Sequence, residues 1–177
     1  MRCSDQLSYS GARSEYRSPD LMLKNVRSLV YYSVNMEHPK AVGDRTTLAV
    51  MLALQCLGHP ILLPFGENTR YDLVIDDGGW FWRVQCKTGR LRSGAVRFAT
   101  CSAYGHHRDP PHARRDYRGQ IDCFGVYCPE TGAVYLVPID EVPTTSQGCL
   151  RVTPAQNNQS RGIRLARDYE IGRVATA

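Results

Sequence analysis

A mixed α/β (α+β) domain, one helix followed by strands joined as hairpins, is the fold class this sequence predicts. Three observations lead there. Residues 46–57 are almost all apolar and are bracketed by Asp44 and Gly58. Residues 71–75 and 80–87 are strand-like runs flanking Asp76-Asp77-Gly78-Gly79. Residues 121–128 and 133–139 repeat the pattern around Pro129-Glu130-Thr131-Gly132.

The chain of 177 residues has the length of one domain, and 42% hydrophobic content suffices for one core. At 22% charged residues, wholesale disorder is excluded. The net charge of +5 and pI of about 8.9 suit a polyanionic partner without requiring one. Seven cysteines are an odd count with no CxxC pair, so reduced thiols are expected rather than a disulfide framework or a zinc site. Cys123 and Cys128 fall on opposite faces of one strand. Neither a secretory h-region nor an apolar run of membrane-spanning length is present. A cytoplasmic location, with no membrane partner, follows as the expectation.

Residues 1–36 are rich in Ser, Tyr and Arg and poor in core-like patterning. They read as an N-terminal extension, compatible with disorder, before a domain at 37–177. The helix is expected over residues 46–57, with Asp44 as N-cap and Gly58 as stop, and buried on most sides. Pro60 and Pro64 limit the strand between them to an edge. The Asp/Gly-rich connection at residues 76–79 marks a hairpin. A further strand is expected at 95–102, a long basic loop at 104–119, the second hairpin, a short strand at 150–153, and an amphipathic or irregular basic tail from 161.

The first hairpin carries the chemistry. If Ile75 pairs with Trp80, paired numbers sum to an odd value, and Asp72 shares a face with Arg83, Gln85 and Lys87. Asp72 would then sit opposite Arg83 and one diagonal step from Gln85. A three-residue connection would reverse the parity. On such a face, the Asp72 carboxylate and the Gln85 amide oxygen suit a hard divalent cation. The cation would activate water and neutralise phosphoryl charge, while Lys87 orients the water and stabilises the transition state. The ordinary alternative is a strand face that simply meets solvent.

The segments Gly43-Asp44, Pro64-Phe65-Gly66-Glu67-Asn68-Thr69-Arg70-Tyr71-Asp72-Leu73-Val74-Ile75 and Arg83-Val84-Gln85-Cys86-Lys87-Thr88 resemble the PD-(D/E)xK nucleases encoded by group I introns. In that family a helix precedes a G-(D/E)-N-x-R-Y-D turn and a V-Q-x-K strand, and Gln commonly replaces the acid of the second motif. The resemblance covers roughly residues 41 to 142, including Tyr117-Arg118-Gly119-Gln120-Ile121-Asp122. It implies a restriction-endonuclease-like core, Asp72, Gln85 and Lys87 as catalytic residues, Mg²⁺ or Mn²⁺ as cofactor, double-stranded DNA as substrate, and a homo-oligomer. One position departs. The family Glu, four residues after the Gly that opens the helix, is Thr47 here. A threonine hydroxyl is a poor substitute for a carboxylate on Mg²⁺. Asp44 is a candidate metal ligand in its place, with helix capping as its blander role, and Glu67 is a further acidic candidate.

The implied activity is a metal-dependent DNA endonuclease resembling an intron homing enzyme. The alternatives are a catalytically weakened DNA-binding module of the same fold, or a junction-resolving nuclease. Arg70, Arg90, Arg92, Arg108, Arg114 and Arg115 are candidate DNA contacts. His106, His107 and His112, in the basic loop, lack a fixed ligand spacing. Trp80 and Trp82 share a face and read as core or interface.

Overall fold

The computed structural model describes residues 38–66, 68–103, 114–143, 146–153 and 162–174. The expected N-terminal extension lies outside the described residues. Helix α1 spans Pro39–Cys56. It is followed by β1 (Ile61–Leu62), β2 (Leu73–Asp76), β3 (Phe81–Thr88), β4 (Arg90–Arg92), β5 (Ala95–Ala99), β6 (Ser102–Ala103), β7 (Arg114–Arg115), β8 (Cys123–Cys128), β9 (Ala133–Pro138), β10 (Gln147–Arg151) and β11 (Glu170–Arg173).

The helix begins earlier than expected. His38 is its N-cap, with Nδ1 accepting from the Lys40 N–H at 3.3 Å, and Pro39 fills the first position, where a missing N–H costs nothing. Asp44 therefore lies in the helix body and caps nothing; it pairs with Lys40 one turn back at 3.6 Å. The glycine stop holds, with Gly58 at φ +82° and its N–H bonded to the Gln55 carbonyl. The expectation of burial on most sides is corrected. Thr46, Ala49, Val50, Ala53 and Leu54 form one buried stripe, whereas Leu48 and Leu52 are 64% and 51% exposed.

The main sheet has six strands in the order β1-β2-β3-β8-β9-β11. β3 and β8 run parallel and the other pairs antiparallel, so the central sheet is mixed, as expected. β1 is an edge strand, consistent with its flanking prolines. One face packs on α1 through Leu73, Ile75, Val84, Cys123 and Val134. Phe124, Val126, Tyr135 and Val137 of the other face pack against Val96, Phe98 and Leu150 of a three-stranded sheet ordered β10-β5-β4. Cys123 and Cys128 fall in opposite core clusters, as the strand alternation requires. Burial pushes the Cys123 thiol up to about 12.

Three features differ from expectation. The β2–β3 ladder pairs Ile75 with Trp82 and Asp76 with Phe81, two residues beyond the expected register. The Asp77 side chain explains this, accepting from the backbone of Gly79 and Trp80 and from the Trp82 indole, and so holding Trp80 in the turn. β4 forms an unexpected hairpin with β5 through Ser93 and Gly94, both at positive φ. The basic tail is not irregular throughout, because β11 adds an edge strand along β9. Of the expected long loop, residues 104–113 lie outside the described residues, and Arg114 and Arg115 form β7 against β6.

α1 crosses the sheet over Gly125. A Cβ there would lie 2.8 Å from Val50 Cγ1 and 3.1 Å from Val84 Cγ1, both of fully buried residues. Gly125→Ala should therefore cost about 1–3 kcal/mol by overpacking. The measurement is the shift in urea midpoint at constant m-value; a shift below a few tenths of a kcal/mol would show that the helix moves away freely.

Candidate active site

Asp72 is the last residue before β2, where the chain departs from the regular ladder. Its N–H bonds to the Val84 carbonyl at 2.8 Å, and its Oδ2 accepts the Cys86 backbone N–H at 2.6 Å. The carboxylate thus serves a β3 donor that a strand carbonyl would otherwise serve. Gln85 Nε2 donates to the same oxygen. The two-residue register shift places Asp72 beside Gln85 rather than opposite Arg83, while the odd-sum parity is kept. Along β3, Val84 and Cys86 are buried towards α1, and Arg83, Gln85 and Lys87 alternate on the other face. Burial raises the Asp72 pKa; the Cys86 N–H, the Lys87 charge and the Gln85 amide oppose that rise.

Asp72 also lines a cleft of about 710 Å³ together with Lys40, Asp44 and Thr47 of α1, Thr69 and Tyr71. Asp44 and Asp72 therefore face one cavity. The Thr47 hydroxyl donates back to the Gly43 carbonyl at 3.2 Å, a bond within its own helix.

Lys87 turns to Tyr117, with Nζ 2.9 Å from the phenolic oxygen and 4.8 Å from the ring centroid. Arg70, expected as a DNA contact, points inward. Its Nε donates to Gln120 Oε1 at 2.6 Å, and its Nη atoms reach Ser102 Oγ at 3.0 Å and the Asp116 carbonyl at 2.7 Å. Its guanidinium lies 4.1 Å from the Tyr117 ring centroid. Arg83 grips Asp122 through Nη2 to Oδ1 at 2.9 Å and Nε to Oδ2 at 3.1 Å, and its own N–H reaches Oδ2 at 2.7 Å. The stretch Tyr117 to Asp122 is thus tied to the site strands at Lys87, Arg70 and Arg83. Sequence reasoning noted that stretch only by resemblance. The cation on each partner strand and the acceptor types in the stretch were the available signal.

Arg90 and Arg92 lie on β4 and share a groove of about 290 Å³ with Thr88, Arg97 and Gln147. Arg97 was missed. It pairs directly across from Arg90, and the alternation Arg90-Leu91-Arg92 before Ser93-Gly94 was the overlooked hairpin signal. Glu130 offers Arg90 only a 3.8 Å contact. Arg114 and Arg115 are exposed; Arg108, the three loop histidines and Glu67 lie outside the described residues.

A helix packed on a mixed six-stranded sheet resembles a restriction-endonuclease-like core. The family model described as PD-(D/E)XK endonuclease matches residues 37–172, and the chain belongs to that family. Among solved structures it is similar to the bacterial homing endonuclease I-Ssp6803I, at 25% identity and TM-score 0.60, over 75% of this chain and 88% of that one. No curated protein matches. The superfamily generally uses a divalent metal, but among the described residues no three His, Cys, Asp or Glu side chains cluster to hold one. Among the same residues no helix is long and apolar enough to cross a membrane.

The Arg83 bonds hold the Asp122 carboxyl below its ordinary value of 3.8. A depressed folded pKa contributes stability above the unfolded value, lost as pH falls through the folded one. Asp122→Asn should thus cost about 1–2 kcal/mol at pH 7, a modest figure because the pair is partly exposed. Urea unfolding of both proteins should show this gap closing between about pH 4 and the lower folded pKa. A gap independent of pH would show that the Asp122 charge contributes nothing to the loss.

Proposed function

We propose that the protein binds duplex DNA and hydrolyses its phosphodiester bonds slowly, through a metal centre weakened to one assured carboxylate. One observation carries this reading: Asp72 and Gln85 are bonded together at the edge of the cleft, while the helix position facing them is Thr47, its hydroxyl occupied by Gly43. The residues fit a hard divalent cation in a minimal way. Both side-chain bonds that Asp72 accepts fall on Oδ2, so among the described residues Oδ1 accepts none. Mg²⁺ is commonly held by one or two carboxylates, with water and substrate phosphates completing the shell. Asp72 and Gln85 would hold it, and Mg²⁺ or Mn²⁺, when bound, would supply charge neutralisation and a more acidic water.

The chain's own residues do the rest. Lys87 brings an ammonium to the same strand face as Gln85, placed to stabilise negative charge developing on a phosphoryl oxygen. Arg90, Arg92 and Arg97 continue from that strand as a cationic ribbon suited to successive phosphates. Exposed Trp80 and Phe81, at 76% and 63%, support a homo-oligomer, which would bring a second site to the opposite strand. The free cysteines support a reducing compartment such as the cytoplasm. A second reading is a fully active homing-type endonuclease, favoured by Asp44 facing the same cleft as Asp72.

Plasmid nicking against Mg²⁺ and Mn²⁺ concentration separates the two readings. A weakened centre predicts slow cleavage, raised by Thr47→Glu and indifferent to Asp44→Asn. A full centre predicts loss with Asp44→Asn and no gain with Thr47→Glu. In either case Lys87→Ala should lower kcat by about 10²–10³ with DNA affinity retained, and Asp72→Asn should abolish cleavage. Equal nicking by the parent and by the Lys87→Ala/Asp72→Asn double variant would place the chemistry elsewhere. For binding, replacing Arg90, Arg92 and Arg97 together by Ala should reduce the salt slope of duplex affinity by about 2.7. An unchanged slope would leave the ribbon as a solvated surface.

A further inference from the structure

We infer that Tyr117 is a positioning residue for Lys87, with Arg70 as the clamp that fixes the Tyr117 ring; the inference rests on the reading of Lys87 as the site's cation. A lysine side chain has four rotatable bonds, and an exposed ammonium loses rotamer freedom wherever it is held. Lys87 is held at its charged end by the Tyr117 oxygen at 2.9 Å. That oxygen is a fixed point only if the ring is fixed. Tyr117 is 3% exposed and meets Phe124 edge-on, at 5.7 Å between centroids and 89° between planes. Arg70 stacks over the ring at 4.1 Å and is itself held by three hydrogen bonds.

The arrangement links β3 and the segment leading into β2 through one ring. Arg70 stands two residues before Asp72, and Lys87 two residues after Gln85. The carboxylate and the ammonium are therefore kept in mutual register by a group outside both strands. Arg70 then serves DNA chemistry from inside the fold, with its N–H groups spent on Gln120, Ser102 and the Asp116 carbonyl.

Tyr117→Phe removes the hydroxyl and leaves the ring beneath Arg70. Placing a reacting group about an ångström wrong costs on the order of 10²-fold, so kcat for nicking should fall roughly tenfold to hundredfold. KM and the thermal midpoint should stay at the parent values. In a Lys87→Ala background, the same change should add nothing, since the residue it positions is gone. An unchanged kcat, or losses that multiply in the double variant, would overturn the inference. A second readout needs no activity. The chain has three lysines, Lys24, Lys40 and Lys87, so ¹³C-lysine labelling gives few Hε–Cε signals, and the Lys87 signal is the one lost in Lys87→Ala. In the parent the two Lys87 Hε protons should be inequivalent, and in Tyr117→Phe they should merge. Equivalent protons in the parent would overturn the inference. A parent that cuts no DNA in either metal but shows the inequivalence and its loss would remove the nuclease reading and leave the placement of Lys87 by Tyr117 standing.

Discussion

The hydrogen bond from the Cys86 backbone to the Asp72 carboxylate is the constraint on which the site depends. β3 is an interior strand, and its N–H groups need acceptors on the β2 side. Just before β2 the chain turns away towards the cleft, and a side-chain oxygen replaces the missing carbonyl. The bond closes the ladder and at the same time fixes a carboxylate at the strand junction. It also selects the residue type. A neutral acceptor would satisfy the N–H, but only a carboxylate adds charge for a cation. The cost is desolvation, seen in the raised Asp72 pKa, and Lys87 and Gln85 offset part of it.

Around that bond the fold builds two supports from a single segment. Arg70, Lys87 and Arg83 all reach into residues 116–122, through Gln120 and the Asp116 carbonyl, Tyr117, and Asp122. Two of these cations stand on β3 and the third, Arg70, just before β2, so the segment braces the hairpin from outside the sheet. A bidentate Arg–carboxylate pair and a stacked guanidinium are directional contacts, which suits a bracing role better than general attraction would. The core on that face, with Phe124 and Phe98 beside Tyr117, keeps the segment from sliding.

Much of the hairpin architecture was legible in the sequence because it depends on short-range turn chemistry. Gly58 stops α1, the Asp/Gly connection joins β2 to β3, and Pro60 and Pro64 hold β1 at the edge. The odd-sum parity of Asp72 with Gln85 and Lys87 survived a shift of two residues, since strand faces repeat with that period. Boundaries decided by competing side chains were not legible. Asp77 capping the turn and His38 with Pro39 starting the helix each beat the more usual signals at Trp80 and Asp44. β11 was hidden because its partner, β9, is far away in sequence, and a four-residue strand with no fully buried residue shows no clear period. The inward turn of Arg70 was equally hidden, because its acceptors come from residues 102, 116 and 120.

Thr47 fits this frame as more than a missing ligand. A second carboxylate beside Asp72 would put two negative charges into a partly buried site. Without a cation each would raise the other's pKa, and the protein would fold against that repulsion. Threonine avoids the repulsion. Its hydroxyl satisfies the Gly43 carbonyl, near the buried Cys86 thiol, whose pKa burial and the Asp72 charge push far up. The helix thereby packs against β3 without needing a metal to neutralise the junction. On the proposed reading, such a site would trade cation affinity for a fold that is complete when no cation is bound. The arginine ribbon of β4 and β5 depends on neither that carboxylate nor a cation, so on the proposed reading its attraction for DNA would be independent of the metal site. On the proposed reading, holding DNA and cutting it would be separable in this chain, the first assigned to the small sheet and the second to the junction of β2 and β3.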